Sequence, residues 1–599
     1  MSEDGTGGKA GNDLVVVALP SVQRFISEAR TTSDVASASE IYSELAREVV
    51  KACQETADML VLPAASQEGS GAGMPNRVVA LFPAGTGPRA ARAAGKAVHA
   101  RWQAMVEDTF KEPGHGTPGF PVVQWVCVPP GTGDYKAQWT QAQRLLAARR
   151  RTRDFSPLSD DGWRQRDICS LSPRWPAEPE PPRHTPKHDR DARLSTVAWV
   201  KRGRRRVQRG EGFPSTASIA SAPYREAVLR ALAPGDGRDE DVARAVAELE
   251  RVAAEAGLAG RPDEAPVQAL VELIPASGHP GRWLGLSGGP WTYPERWDRR
   301  SLARESEVTD SERLKDLAAA GERAARTLRQ VMKDRGVRLA SYLAVVVQDV
   351  DSMGSFLGGE TAAADGSKIE VRPDRHAVVS GILGRLARAQ QGALSSAQLF
   401  GVPVYSGGDD LLLFAPASTA LAVAEAANAA IPSELPYAST AVLYFHYHAS
   451  IQQAMSTARH LLEDGKEKVR GKHALAVGYL RRSGAREASI QPWPGPDGGS
   501  SAGLFRIFAR EAGHELSPRL AVELERDAAE LDALLHAAER VYEAELARLI
   551  RQHAAGGDQS AAAVAAALSW LGRNEAALAR VRSPHAAAKV GAFLRQEAR

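Results

Sequence analysis

The chain has 599 residues, 43% of them hydrophobic and 25% charged, with 75 Lys and Arg against 72 Asp and Glu, a net charge of +3. That length exceeds what one core can serve and implies several domains, while the near-neutral balance gives no global argument for a polyanionic partner. Three cysteines, Cys53, Cys127 and Cys169, are too scattered for a disulfide framework or a four-thiolate zinc site.

The opening MSEDGTGGKAGND is glycine-rich and acidic, without the apolar core of a signal peptide. No apolar run approaches the ~20 residues of a membrane span. A cytoplasmic protein with a tail over residues 1–12 and no membrane partner is therefore expected. LVVVALP (14–20) predicts a buried strand. SVQRFISEAR (21–30) and SASEIYSELAREVVKACQETA (37–57) carry apolar residues at helical spacing. NRVVALFPAG (76–85) predicts a second strand, ARAAGKAVHARWQAMVEDTF (91–110) a helix, and VVQWVCVPP (122–130) a further strand. Strands mixed with helices in this order point to an α+β layer.

Over residues 151–221 the pattern dissolves into Pro, Arg and Asp, ending in a dense basic run of Lys201, Arg202, Arg204, Arg205 and Arg206. Such a run is either a solvated linker or a phosphate-contacting segment. Residues 222–335 read as Ala- and Arg-rich helices. SYLAVVVQDVDSMG (341–354) then predicts a long strand ending in Asp349 and Asp351, and HAVVSGILGRLARAQQ (376–391) an amphipathic helix. VPVYSGGDDLLLF (402–414) predicts a hairpin, followed by helix, strand, helix and the strand ALAVGYL. From 501 to the end, Leu and Ala stripes predict a helical bundle.

The hairpin has two readings. Gly407 and Gly408 supply positive φ angles for a tight turn, with Asp409 and Asp410 as ordinary turn neighbours. Alternatively, paired carboxylates at a hairpin tip make a hard oxygen site for Mg²⁺. Two-metal phosphoryl transfer needs carboxylates that hold two divalent ions close together. A strand ending in Asp349 beside a hairpin tip carrying Asp409 and Asp410 meets that layout across about 60 residues of sequence. Lys466, late in a helix, either faces solvent or reaches a nucleotide's phosphates. Gly471 and Lys472 predict the turn that follows it.

The order D-x-D, helix, GGDD hairpin, helix with Lys466 and a following Gly-Lys resembles the palm domain shared by diguanylate cyclases and the large subunit of type III CRISPR effector complexes. RPDRHAVVSGIL (372–383), STAVLYFHYHASIQQAMSTAR (439–459) and LPSVQRFISEARTTSDVASASEIYSELA (19–46) are similar to segments of the second family, and the pattern resembles its Cmr, or type III-B, branch. MPNRVVALFP (74–83) stands where the first palm has its hairpin.

The resemblance covers most of residues 13–485 and implies an α+β fold with two ferredoxin-like palms. The first, degenerate in metal carboxylates, spans 13–150, and the second, with GGDD, spans 336–500, with helical domains at 222–335 and 501–599. It implies an antiviral nucleotidyltransferase that converts ATP to cyclic oligoadenylates with two Mg²⁺ or Mn²⁺ ions, in a complex with guide CRISPR RNA, target RNA and other subunits. Asp349, Asp409 and Asp410 are the expected metal-binding and catalytic residues, with Asp351 in a supporting role. Gly407, Gly408, Ser380, His376 and Lys466 are the expected nucleotide contacts. With a first palm beginning near residue 13, the HD nuclease domain of many relatives is not expected. Nor is zinc: ICSLSP (168–173) offers Cys169, but Ser172 stands where the partner thiolate belongs. Arg202, Arg204, Arg205 and Arg206 are instead expected to contact RNA or a neighbouring subunit. A catalytically silent ribonucleoprotein scaffold and a GGDEF-like diguanylate cyclase are the alternatives.

Overall fold

The computed structural model describes residues 11–64, 74–131, 134–152, 168–186, 189–207, 212–233, 239–258, 265–306, 308–510, 517–553, 558–574 and 583–598. Residues 1–10 of the expected tail lie outside this set, and Asn12 already belongs to the first strand.

Two sheets organise the chain. The first is built from β1 (Asn12–Ala18), α1 (Val22–Ser27), α2 (Thr32–Gln54), β2 (Met59–Leu62), β3 (Arg77–Pro83), α3 (Gly87–Phe110) and β4 (Gln124–Val128), with strand order β2-β3-β1-β4. Helix α4 (Tyr135–Arg151) follows. Residues of β1 alternate between two cores: Val15 and Val17 pack with α2 and α3, whereas Leu14 and Val16 pack with Trp139 and Leu146 of α4. Because successive side chains point to opposite faces, a strand buried on both faces must read as the unbroken apolar run LVVVA.

Within the expected basic linker the chain forms helix α5 (Thr196–Val207), packed against α2 and α3. The central region is helical, dominated by α6 (Glu240–Glu255) and α7 (Ser311–Asp334), which pack through Leu249, Val252, Leu317 and Leu328.

The second sheet comprises β5 (Tyr342–Val350), α8 (Pro373–Leu394), β6 (Val402–Ser406), β7 (Asp410–Pro416), α9 (Ala420–Ala429), β8 (Ala438–His446), α10 (Ile451–Lys468), β9 (Ala474–Leu480) and β10 (Arg486–Pro492). Its order is β10-β9-β8-β5-β7-β6, antiparallel except for β8 and β9, which α10 joins in parallel. The four strands β6-β7-β5-β8 repeat the order of the first sheet, each from a β-α-β-β-α-β chain, which is the ferredoxin-like arrangement.

One face of this sheet (Leu343, Val345, Val347, Leu412) joins α10 and the first sheet in a single core. The other (Ala344, Val346, Leu413) packs on α9 and on C-terminal helices through Phe505, Leu546 and Leu568. Strands β2 and β10 were not expected from the sequence; each lies at one edge of its sheet, where pairing from one side tolerates a short strand with a weak pattern. No helix among the described residues is long and apolar enough to cross a membrane.

Candidate active site

The register of β5 against β7 pairs Asp349 with Asp410, and the Val350 amide donates to the Asp409 carbonyl at 3.0 Å. Side chains two apart share a face, so Asp349 and Asp410 point the same way as Val347 and Leu412, toward α10 and the first sheet. The turn between β6 and β7 has three residues, closed by the Gly407 amide on the Asp410 carbonyl at 3.1 Å. The two glycines serve different needs, which corrects the expectation that both supply positive φ. Only Gly408 is left-handed, with φ +94°. Gly407 is required by space: a Cβ there would meet the buried Tyr405 ring at 2.0 Å.

The carboxylates crowd one another. Burial and then the charge of Asp349 push Asp409 up to about 6. Burial, a hydrogen bond with Asp349, and the charges of Asp409 and Asp349 push Asp410 well above the usual carboxylate range. Lys466, from the last turn of α10, is salt-bridged to Asp349. Burial opposes its charge, but Asp349 outweighs that and holds the ammonium above its ordinary value.

Three further polar residues reach this cluster; each lies in a segment that the resemblance picks out (19–46, 74–83 and 439–459), but none was itself expected at the site. Gln23 of α1 donates through Nε2 to Asp410 Oδ2 at 3.1 Å. Arg459 of α10 donates to the Gln23 carbonyl, and burial brings its guanidinium down to about 10 while Asp410 opposes the shift. Arg77 opens β3 as Asp410 opens β7, and it pairs with Ala18 as Asp410 pairs with Asp349. In the first sheet, then, an alanine and an arginine hold the places of two carboxylates. Burial and Arg150 lower the Arg77 guanidinium, and the charge of Asp409 opposes them. A charge that enters a site from another domain leaves no mark in a local pattern. The clue to Arg77 is that residues 74–83 stand where the first palm has its hairpin, and the duplicated strand order places it opposite the acidic turn.

Among the described residues, no three His, Cys, Asp or Glu side chains form a ready-made metal cage. The donor chemistry nevertheless suits a divalent cation: two carboxyls close enough to hydrogen bond, with a third beside them, hold adjacent negative charges that a proton or a hard cation must offset.

The other expected site residues lie elsewhere. Asp351 is buried at 5% exposure; both its oxygens accept from Ser439 Oγ, at 3.0 and 2.9 Å, and one accepts from the His473 amide at 2.9 Å. It ties the ends of β5, β8 and β9 together. The expected turn at Gly471 and Lys472 is present, left-handed through His473 with φ of 81°, 63° and 51°. His376 is fully buried, with both ring nitrogens engaged inside the protein. Its Nδ1 lies 3.0 Å from the Tyr135 hydroxyl and its Nε2 2.9 Å from the Leu357 carbonyl. A carbonyl only accepts, so Nε2 carries the proton and Nδ1 accepts from Tyr135. With Trp139 packed at a ring distance of 4.3 Å, His376 bolts α8 to α4. One turn on, Ser380 accepts from the Ala64 amide at 2.9 Å, another contact between the two sheets.

The basic run is also corrected. Arg202 is buried and forks onto Asp34 at 2.7 and 2.8 Å, with a third bond to Asp189 at 2.9 Å. Lys201 donates to the carbonyls of Phe25 and Glu28, and Arg204 pairs with Glu44. Lys201 and Arg202 face inward because α5 lies across α2, whereas Arg204 is only partly buried. The side chains of Arg205 and Arg206 lie outside the described residues. Cys169 and Ser172 are both buried in a small hairpin closed by the Cys169 amide on the Trp175 carbonyl at 3.2 Å.

Residues 342–476 match the family model of Cas10/Cmr2, second palm domain, and residues 14–107 that of CRISPR-associated protein Cmr2, N-terminal. The CRISPR system Cmr subunit Cmr2 of Pyrococcus furiosus is 28% identical over 190 residues, which span 28% of this chain and 21% of that protein. A chain of the type III-B Cmr-beta assembly in its apo state is similar in fold. Its TM-score is 0.63 at 13% identity, covering 91% of this chain and 78% of that one. For the same assembly bound to cognate target RNA the TM-score is 0.56 at 14% identity, with 95% and 79% covered.

Proposed function

We propose that this chain belongs to the Cas10/Cmr2 family, whose models its palm and N-terminal segments match, and is the large subunit of a type III CRISPR RNA-guided effector complex that converts ATP to cyclic oligoadenylates when target RNA is bound. Its partners in that reading are the guide RNA, the target RNA and the other subunits. The observation that carries the activity is the convergence of Asp349, Asp409 and Asp410 on the face that fronts the first sheet, with Lys466, Arg459 and Arg77 around them.

Divalent cations held by Asp349, Asp409 and Asp410 would supply charge neutralisation for an attacking hydroxyl and a leaving phosphate. The chain's own groups provide the rest. Lys466 is a mobile point charge that can leave Asp349 for a polyphosphate, and Arg77 presents a second cation from the opposite sheet. Gly408, with open space where a Cβ would stand, lets the turn come close to a bound nucleotide. The first palm over residues 13–150 and the second over 336–500 then form the two walls of one site.

The test is mass spectrometry of products from ATP and Mg²⁺, using the chain assembled with guide RNA and partner subunits, with and without complementary target RNA. Cyclic oligoadenylates that require target, and that vanish in Asp409→Ala/Asp410→Ala, are expected. A complex that binds target but forms no product would leave a scaffold, and a cyclic dinucleotide from GTP would make it a diguanylate cyclase.

A further inference from the structure

Helix α1 is short, yet it is pinned from several sides. The chain turns into it through Ser21 at φ 67°, and Phe25 and Ile26 are each 1% exposed. The Phe25 ring stacks on Phe120 with centroids 5.0 Å apart and lies under the Lys201 ammonium at 4.3 Å. Lys201 also caps the end of the helix, donating to the Phe25 carbonyl at 2.9 Å and the Glu28 carbonyl at 2.6 Å. Among its outward residues is Gln23. Its side-chain amide reaches Asp410 Oδ2, 387 residues away in sequence. Its backbone carbonyl takes Arg459, which lies two turns before Lys466 on α10.

We infer that Gln23 is a positioning residue for the carboxylate cluster, through which the first palm holds Asp410 and α10 in register. A neutral amide suits this role. It fixes one carboxylate oxygen while leaving the charge of the cluster unspent, whereas a Lys or Arg in its place would compete with a cation. Arg459 on the Gln23 carbonyl orients the same residue from the helix that carries Lys466. Order at Asp410 then depends on the apposition of the two palms.

This inference rests on the reading of the three carboxylates as cation ligands. It is tested on the whole chain with Mn²⁺ alone, by electron paramagnetic resonance titration of the wild type, Gln23→Met, Asp410→Asn and the double variant. Met keeps the length of Gln and removes the donor. Expected is an approximately tenfold weaker Mn²⁺ affinity for Gln23→Met, typical of a lost partner behind a metal ligand, with no further loss on adding it to Asp410→Asn. In the assembled complex, kcat should fall about as much while KM for ATP stays within about twofold. Wild-type Mn²⁺ affinity in Gln23→Met, or an equal loss in the Asp410→Asn background, overturns the inference and leaves the proposed synthesis untouched. A wild-type chain that binds no Mn²⁺ removes the cation site and this inference with it. Normal Mn²⁺ behaviour with no nucleotide product counts against the synthase alone.

Discussion

Replacing Arg202 by Met removes a guanidinium that makes three hydrogen bonds to two buried carboxylates, at 2.7, 2.8 and 2.9 Å. Asp34 and Asp189 would lose the guanidinium they share, a change that costs about 3–5 kcal/mol when one member of a buried pair is deleted. For a unit of about 150 residues this is a fall in melting temperature on the order of 10 °C. The loss should depend on pH in a definite sense. Burial alone would raise the Asp34 carboxyl, but Arg202 and the Arg30 amide outweigh it and hold it below its ordinary value. The wild type therefore keeps this stability above about pH 4 and loses it as pH falls through the lowered value. In the variant the same carboxyl titrates upward, so its penalty is greatest at neutral pH and is relieved on acidification. Thermal melts of both proteins at pH 7.5 and pH 5 measure this, and the gap should narrow at the lower pH. Unchanged melting together with weakened, less salt-dependent RNA binding would refute the structural role and return Arg202 to the RNA.

Because Asp409 is raised to about 6, its charge costs the cation-free protein nothing below about pH 4, and the cost accrues up to about pH 6. Two units at 1.36 kcal/mol each give about 3 kcal/mol. Melts in EDTA should show Asp409→Asn more stable than wild type at pH 8 and equal to it near pH 4, with Mg²⁺ closing the gap at pH 8; parallel curves would contradict the crowding. Gly407→Ala places a methyl in the Tyr405 ring and should cost about 1–3 kcal/mol. Tyr405→Leu should recover part of that in the double variant, as read by denaturant unfolding. His376→Phe loses the Tyr135 and Leu357 bonds and should lower the melting temperature while leaving KM for ATP unchanged. A raised KM with unchanged melting would instead place the imidazole on the nucleotide.

The long strands LVVVA and LAVVVQDV and the helices with clear apolar periodicity were legible, because burial on one or two faces writes itself into local pattern. The pairing of Asp349 with the GGDD turn was expected from the carboxylate layout that two-metal chemistry needs and from the resemblance, not from local pattern, because β5 and β7 are separate strands about 60 residues apart. The edge strands β2 and β10 were not, and neither was α5. In the TVAWVKRGRRRV helix, positive charge reads as a solvated segment until the partners Asp34, Asp189 and Glu44 are placed opposite it.

By itself, then, the sequence determined which segments are strands and where the acidic turn lies, because these depend on neighbours within a few residues or on one hairpin; that the turn adjoins a second acidic strand end followed from the chemistry of a two-metal site and the resemblance. Tertiary structure alone decided the destinations of long polar side chains. Arg202 goes to a buried carboxylate pair, His376 to a bolt between the sheets, and Gln23 and Arg77 to the carboxylates from the far side. The physical reason is that a charge or an amide is satisfied by whatever partner the fold brings within about 3 Å, and that partner can lie hundreds of residues away.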